Sequence, residues 1–146
     1  MSSDDEVREA SRRFYAALNR MAEGDPGGMP GIWSQAATVT TMHPVGGREV
    51  GWDAVAKPWA AIAGLCSGGE VALTDQLLQV GGDMAYETGT ERGRVAMAGQ
   101  SIEIDHRVTN VYRREADGWK IVHHHVDLSP AMIEVLKRIG PEGVPG

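Results

Sequence analysis

The chain has 146 residues, 42% of them hydrophobic, with a formal charge of −6 and a pI near 5.3. That length suits one domain with a single core, and the negative balance repels nucleic-acid phosphates, which excludes that class of partner. The single cysteine, Cys66, fits a reducing cytoplasm, the acidic start MSSDDEVREA lacks the apolar run of an export signal, and no segment nears the ~20 apolar residues of a membrane span. The expected compartment is therefore the cytoplasm.

Ser3-Asp4-Asp5-Glu6 reads as a helix start, with Ser3 as cap, Glu6 reaching back and the acids at the positive end of the dipole. Val7, Ala10, Phe14, Leu18 and Met21 follow at spacings of three and four, which makes one apolar helical stripe. Glycine and proline in GDPGGMPG (Gly24–Gly31) end that helix and leave room for a short second one near Trp33. Ala37–His43 is rich in β-branched residues and predicts a strand that stops at Pro44. Gly46-Gly47 turns the chain, and Trp52–Leu65 predicts a helix with an irregularity at Lys57-Pro58.

Four long extended segments follow: Val71–Val80, Met84–Met97, Ser101–Arg114 and Trp119–Val126. Their short Gly-Gly, Ala-Gly and Ala-Asp-Gly connections make antiparallel neighbours. Ser129-Pro130 opens a last helix, which carries Lys137-Arg138 near its end and stops at Gly140-Pro141. Helices followed by a long meander give an α+β domain over 1–146, with helices on one face of a curved, mainly antiparallel sheet. Residues 1–3 and 139–146 are expected as flexible ends.

The last hairpin sets which side chains face inward. With Glu115-Ala116-Asp117-Gly118 as its turn, Arg114 lies opposite Trp119, Tyr112 opposite Ile121, Asn110 opposite His123 and Val108 opposite His125. Alternation then groups Trp119, Ile121, His123 and His125 with Tyr112, Asn110 and Val108 on one face. Lys120, Val122, His124 and Val126 fall on the other. The aromatic and apolar set suits the covered face, so Asn110, His123 and His125 are expected inward and His124 outward. A bulge would exchange the faces beyond it.

Three stretches carry a resemblance to a known family. They are RFYAALN (Arg13–Asn19) followed by Gly24-Asp25, then Ala37-Thr38-Val39 followed by Pro44-Val45-Gly46, and the hairpin TNVYRREADGWKIVHHHVD (Thr109–Asp127). With the order of elements they resemble the nuclear transport factor 2-like superfamily, and within it the SnoaL-like and ketosteroid-isomerase-like group. The resemblance covers nearly the whole chain and implies a cone-shaped fold with a pocket between helices and sheet. It also implies a two-fold homodimer through the open sheet face, where Val111, Val122 and Val126 are expected. This fold hosts isomerases, dehydratases, epoxide hydrolases and non-catalytic binders, so it selects no reaction.

Ketosteroid isomerases carry a carboxylate base before Pro-Val-Gly, where this chain has His43, and a tyrosine where it has Phe14. Tyr15 is one residue later, about 100° round the helix, and Asn110 falls near the family's acidic hydrogen-bond donor. The steroid-isomerase set is thus missing here.

Three readings of the histidines remain open. In the first, His43 serves as base or acid, His125 or His123 takes the opposite role, and Asn110 donates to a developing oxyanion. Asp127 either orients His125 or caps the turn to Ser129. Tyr15, Trp33, Trp59, Tyr112 and His123 would contact a small apolar ligand, and the chemistry would be isomerisation, dehydration or hydrolysis without a cofactor. In the second reading His123-x-His125, about 6.6 Å apart along one strand face, chelates a metal with His43 or His106 as a further ligand. In the third the histidines bond to neighbouring strands or meet at a dimer interface, and the tryptophans are core walls. On the opposite face Arg107 and Asp105 would pair with each other or across an interface. A ligand-binding or assembly module without turnover is the alternative function.

Overall fold

The structure is a computed structural model that describes residues 2–139. Helix α1 (Ser3–Ala22) starts one residue earlier than its capping signal suggested. Ser2 is the N-cap: its side chain accepts from the Asp5 backbone while the Asp5 carboxylate accepts from the Ser2 backbone, a reciprocal box. The apolar stripe from Val7 to Met21 is buried as its spacing predicts. Of the ends expected as flexible, Ser2 caps and Ser3 opens the first helix and Ile139 closes the last; Met1 and 140–146 lie outside the described residues.

The segment after α1 differs from expectation. No second helix forms near Trp33; residues 25–32 run through turns, and Trp33 makes an isolated bridge to Ile121. Ile121 donates to the Ile32 carbonyl and accepts from Ser34, so these backbone groups are satisfied by the sheet instead of by a helix. Strands β1 (Thr40–His43) and β2 (Gly46–Val50) form a hairpin turning at Pro44-Val45, so Gly46-Gly47 opens a strand instead of making the turn. Helix α2 (Trp52–Ala63) carries Pro58 inside it. Then come β3 (Cys66–Gly81), β4 (Met84–Met97), β5 (Gln100–Glu115) and β6 (Gly118–Val126), and α3 (Pro130–Ile139).

The six strands form one sheet in the order β2-β1-β6-β5-β4-β3, antiparallel throughout except for the parallel β1/β6 pair. The three helices pack on this curved open sheet, burying Phe14, Trp33, Val55 and Trp59 with Ile104, Tyr112, Trp119 and Ile121. Where β3 pairs with β4 the backbones come so close that a Cβ on Gly93 would collide with the Glu70 carbonyl, which only glycine avoids.

One irregularity in β6 decides which histidines reach the interior. The hairpin pairs as expected through Arg114↔Trp119 and Tyr112↔Ile121, but the next pairs are Val111↔His123, Asn110↔His124, Thr109↔His125 and Val108↔Val126. Val122 is the extra residue of a β-bulge, and beyond it the faces exchange. His124 and Val126 are inward at 3% exposure each, whereas His125 is exposed and His123 half-buried on the outer face. The inward expectation for His123 and His125 is thereby corrected, as is the outward one for His124 and Val126. The bulge sits where the edge of β6 passes from Trp33 to β1: Ile121 bonds around Trp33, while His123 to His125 pair with Thr40 to Met42.

Candidate functional site

Between the helices and the concave sheet face lies a cavity of about 230 Å³. Leu18 and Met21 of α1, Trp59 and Ile62 of α2, Met132 and Leu136 of α3, and Val71, Val95, Met97 and Ile104 of the sheet give it apolar walls. Such a lining favours an apolar ligand body, and the few polar groups must fix its orientation. Those groups are His43 at the end of β1, Glu91 on β4, His106 on β5 and His124 on β6, with Lys57 of α2 also in the wall.

His43 packs edge-on against Trp59, ring centroids 4.8 Å apart, and lies 6.4 Å from His124. Its Nε2 is buried without a hydrogen-bond partner, 3.5 Å from Glu49 Oε1, within ion-pair reach but too long for a hydrogen bond. Burial pushes the His43 imidazole down to about 3, and the nearby His124 ring adds to the effect. His124 is held between Phe14 (5.1 Å) and Trp59 (5.6 Å), and burial lowers it to about 4. Both rings are therefore neutral at neutral pH.

A buried hydrogen-bond network stands behind them. His124 Nδ1 meets Asn110 Oδ1 at 2.6 Å, and Asn110 Nδ2 donates to Tyr15 Oη at 3.1 Å and to Glu87 Oε1 at 2.9 Å. Tyr15 donates to Glu91 Oε2 at 2.8 Å, and His106 Nε2 donates to Glu91 Oε1 at 2.8 Å. Burial alone would raise the Glu91 carboxyl, but the His106 hydrogen bond, the adjacent imidazoles and Tyr15 outweigh it and hold the group below its ordinary value. Burial, and then the Glu91 charge, raises the Tyr15 hydroxyl far above the usual phenol range, so Tyr15 stays a donor. With the Asn110 oxygen turned toward it, Nδ1 is the ring nitrogen of His124 that meets the network.

The residues singled out from sequence fall into three places. His43 and Trp59 line the cavity, and Asn110 and Tyr15 sit in the network directly behind it. Trp33 and Tyr112 are fully buried outside its lining, the Tyr112 hydroxyl donating to Glu87 Oε1 at 2.6 Å. His123 and His125 are on the far face of the sheet, where His123 Nδ1 meets Thr40 Oγ1 at 2.6 Å. Asp127 neither orients His125 nor caps the turn, because both its oxygens accept from Arg107, while Asp105 pairs with Arg92 at 3.5 Å. His123 and His125 lie 6.1 Å apart, and no cluster of three potential metal ligands occurs among the described residues.

Sequence reading missed His124, Glu87 and Glu91 and weighed His106 only as a metal ligand. Alternation alone could have found the carboxylates: Ala85, Glu87, Glu91, Val95 and Met97 share the buried parity of β4.

Comparison with known proteins agrees with this architecture. A family model of the SnoaL-like domain matches residues 7–132. A candidate dehydratase of the nuclear transport factor 2-like family from Streptomyces avermitilis has 28% identity and a TM-score of 0.74, over 87% of this chain and 96% of its own. A candidate calcium/calmodulin-dependent protein kinase type II association domain from Thiobacillus denitrificans also has 28% identity, with a TM-score of 0.63 over 82% and 92% of the two chains. A nuclear transport factor 2-like superfamily protein from Salmonella enterica shares the fold, with a TM-score of 0.75 at 22% identity over 84% and 88%. No curated protein matches the chain. The matched domain runs from within α1 to the first residues of α3 and takes in the cavity-facing His43, Glu91, His106 and His124, so the chain belongs to the SnoaL-like domain family of the nuclear transport factor 2-like superfamily.

Proposed function

We propose that the cavity binds a small, largely apolar molecule and that His124 and His43 move a proton on it without a cofactor, in a dehydration or isomerisation. The observation that carries this reading is the pair of neutral imidazoles bordering one apolar cavity, 6.4 Å apart. A neutral imidazole in a water-poor site is a competent base, because its lone pair is not tied up by solvent. His124 Nε2 removes a proton from carbon beside a carbonyl, and the electron pair forms a carbon–carbon double bond. In a dehydration the neighbouring hydroxyl leaves as water with the proton returned by the imidazolium; in an isomerisation the proton returns to another carbon. The cavity, about 230 Å³, falls below the ~300–1,000 Å³ of drug-sized sites, which favours a mono- or bicyclic compound. The similar Streptomyces protein is a candidate dehydratase, which favours elimination over hydrolysis.

Proton transfer can be read without knowing the natural substrate. Small cyclic ketones incubated with the protein in D₂O report enzyme-catalysed exchange of the proton next to the carbonyl by NMR. The expected result is exchange above buffer that falls about 10²–10⁴-fold in His124→Gln and is unchanged in His125→Gln. Exchange that survives His124→Gln overturns the assignment, and ketones that bind without exchange make the cavity a binding site only.

The outer sheet face supports a second element of the reading, a homodimer. Leu77, Met84 and Tyr86 are 52%, 44% and 45% exposed there, beside the half-buried Val111 and Val122. A second copy with the same patch would cover them. Val126, first counted with this face, belongs to the cavity wall instead.

A further inference from the structure

The buried carboxylate of Glu87 has no place in the proton transfer above, yet it is fully buried and connected to the proposed base through a single side chain. Its Oε1 accepts from Ser11 Oγ at 2.9 Å, Asn110 Nδ2 at 2.9 Å and Tyr112 Oη at 2.6 Å, and its Oε2 accepts from Gln76 Nε2 at 2.8 Å. Beyond Gln76 the chain of bonds reaches the surface, where Arg8 donates to Gln76 Oε1 at 2.7 Å. A β-bulge between Thr74 and Leu77, with Asp75 at φ 55°, is the local irregularity of β3 from which the Gln76 side chain reaches Glu87.

Every link in this series has a fixed direction. A guanidinium only donates, so Gln76 must turn its oxygen to Arg8 and its NH₂ to Glu87. Glu87 Oε1 already takes the Ser11 and Tyr112 hydroxyls and its Oε2 the Gln76 NH₂, so the end of Asn110 that faces this acceptor is its NH₂. The second hydrogen of that NH₂ goes to Tyr15 Oη, whose own proton is drawn to Glu91. With both amide hydrogens committed, Asn110 can offer His124 nothing but its oxygen.

We propose that Glu87 is a positioning residue that fixes the tautomer of His124: by locking the Asn110 amide it keeps the proton on His124 Nδ1 and leaves Nε2 as the lone pair available to the cavity. Tyr15 is the second lock on the same amide. Without them Asn110 could rotate and donate to Nδ1, which would put the proton on Nε2 and convert the proposed base into a donor. The functional meaning of this lock rests on the role proposed for His124; the lock itself does not.

The test reads nitrogen protonation directly. Protein labelled with ¹⁵N-histidine is examined at pH 7 by long-range ¹H–¹⁵N correlation, in the wild type, Glu87→Gln and Glu87→Gln/Tyr15→Phe. In the wild type His124 is expected to show an unprotonated Nε2 and a protonated Nδ1 across essentially the whole population. In Glu87→Gln a second tautomer should appear, and in the double variant the Nδ1–H form should become a minority, with His123 and His125 unchanged. Ketone exchange should fall in step with the lost tautomer while ketone affinity changes less than about two-fold. A wild-type His124 protonated on Nε2 overturns the proposal at once, even if the variants fail to fold. An Nδ1–H form that persists in the folded double variant overturns it equally. If the tautomer shifts but no variant, nor the wild type, exchanges ketone protons, the lock stands and the proton-transfer reading falls.

Discussion

Two neighbouring histidines of the same triplet have opposite circumstances: His124 is 3% exposed beneath Phe14 and Trp59, while His125 is open to solvent. Removing an imidazolium from water is unfavourable, so His124 is held neutral with a value near 4 and His43 with one near 3. The sign for catalysis follows directly. A base must be unprotonated, so kcat/KM for exchange should stay flat above about pH 5 and fall only as pH drops through the values near 4. An ordinary histidine base would instead lose activity on acidification through 6.5, and an acid limb there in the measured profile would contradict the burial account. None of this was legible from residue types, because a histidine's value is set by what surrounds it. His43 was recognisable as a candidate because it ends a strand immediately before Pro44-Val45-Gly46. Glu91 and His106, whose hydrogen bond sits in the cavity wall, needed strand parity to be brought together.

At the scale of elements, β6 shows where a sequence stops determining facing. WKIVHHHVD contains no glycine or proline to mark an irregularity, and the regular register was correct as far as Ile121. The bulge at Val122 then reverses the inference for the four residues from His123 to Val126, because a shift of one residue moves every following side chain to the other face. Deleting Val122 tests the register. With the bulge, its removal leaves Ile121, His124 and Val126 inward on a regular strand, so the variant should fold with a loss of about 1–2 kcal/mol in chemical denaturation. Without a bulge, the same deletion would drive His124 and Val126 from the outer face to the core and abolish cooperative unfolding. The first helix was more legible, since its stripe from Val7 to Met21 repeats a period that only one conformation satisfies. The helix expected near Trp33 failed for a tertiary reason: the sheet edge at Ile121 offers those backbone groups partners that the four glycines and two prolines of Gly24–Gly31 deny to a helix.

For the whole molecule, the order of helices and strands gave the α+β architecture, and the hairpin turns gave the antiparallel meander. The parallel β1/β6 pair had no local signal, because it joins segments about 80 residues apart through backbone hydrogen bonds that any residue can make. The outer face carries the remaining expectation at this scale. Tyr86→Lys places a charge in the middle of the exposed Leu77/Met84/Tyr86 patch, so light scattering coupled to size exclusion should show a dimer for the wild type and a monomer for the variant. A wild-type monomer, or a dimer indifferent to the substitution, would assign that patch elsewhere. Inside the cone a small apolar molecule is expected to meet His43 and His124, and not His123 or His125. Titrating a cyclic ketone into ¹⁵N-histidine-labelled protein and following all five imidazoles tests it most directly: the account predicts that His43 and His124 shift with a common saturation curve while His123 and His125 stay in place. Shifts confined to His123 and His125, or saturable binding that moves neither His43 nor His124, would contradict it.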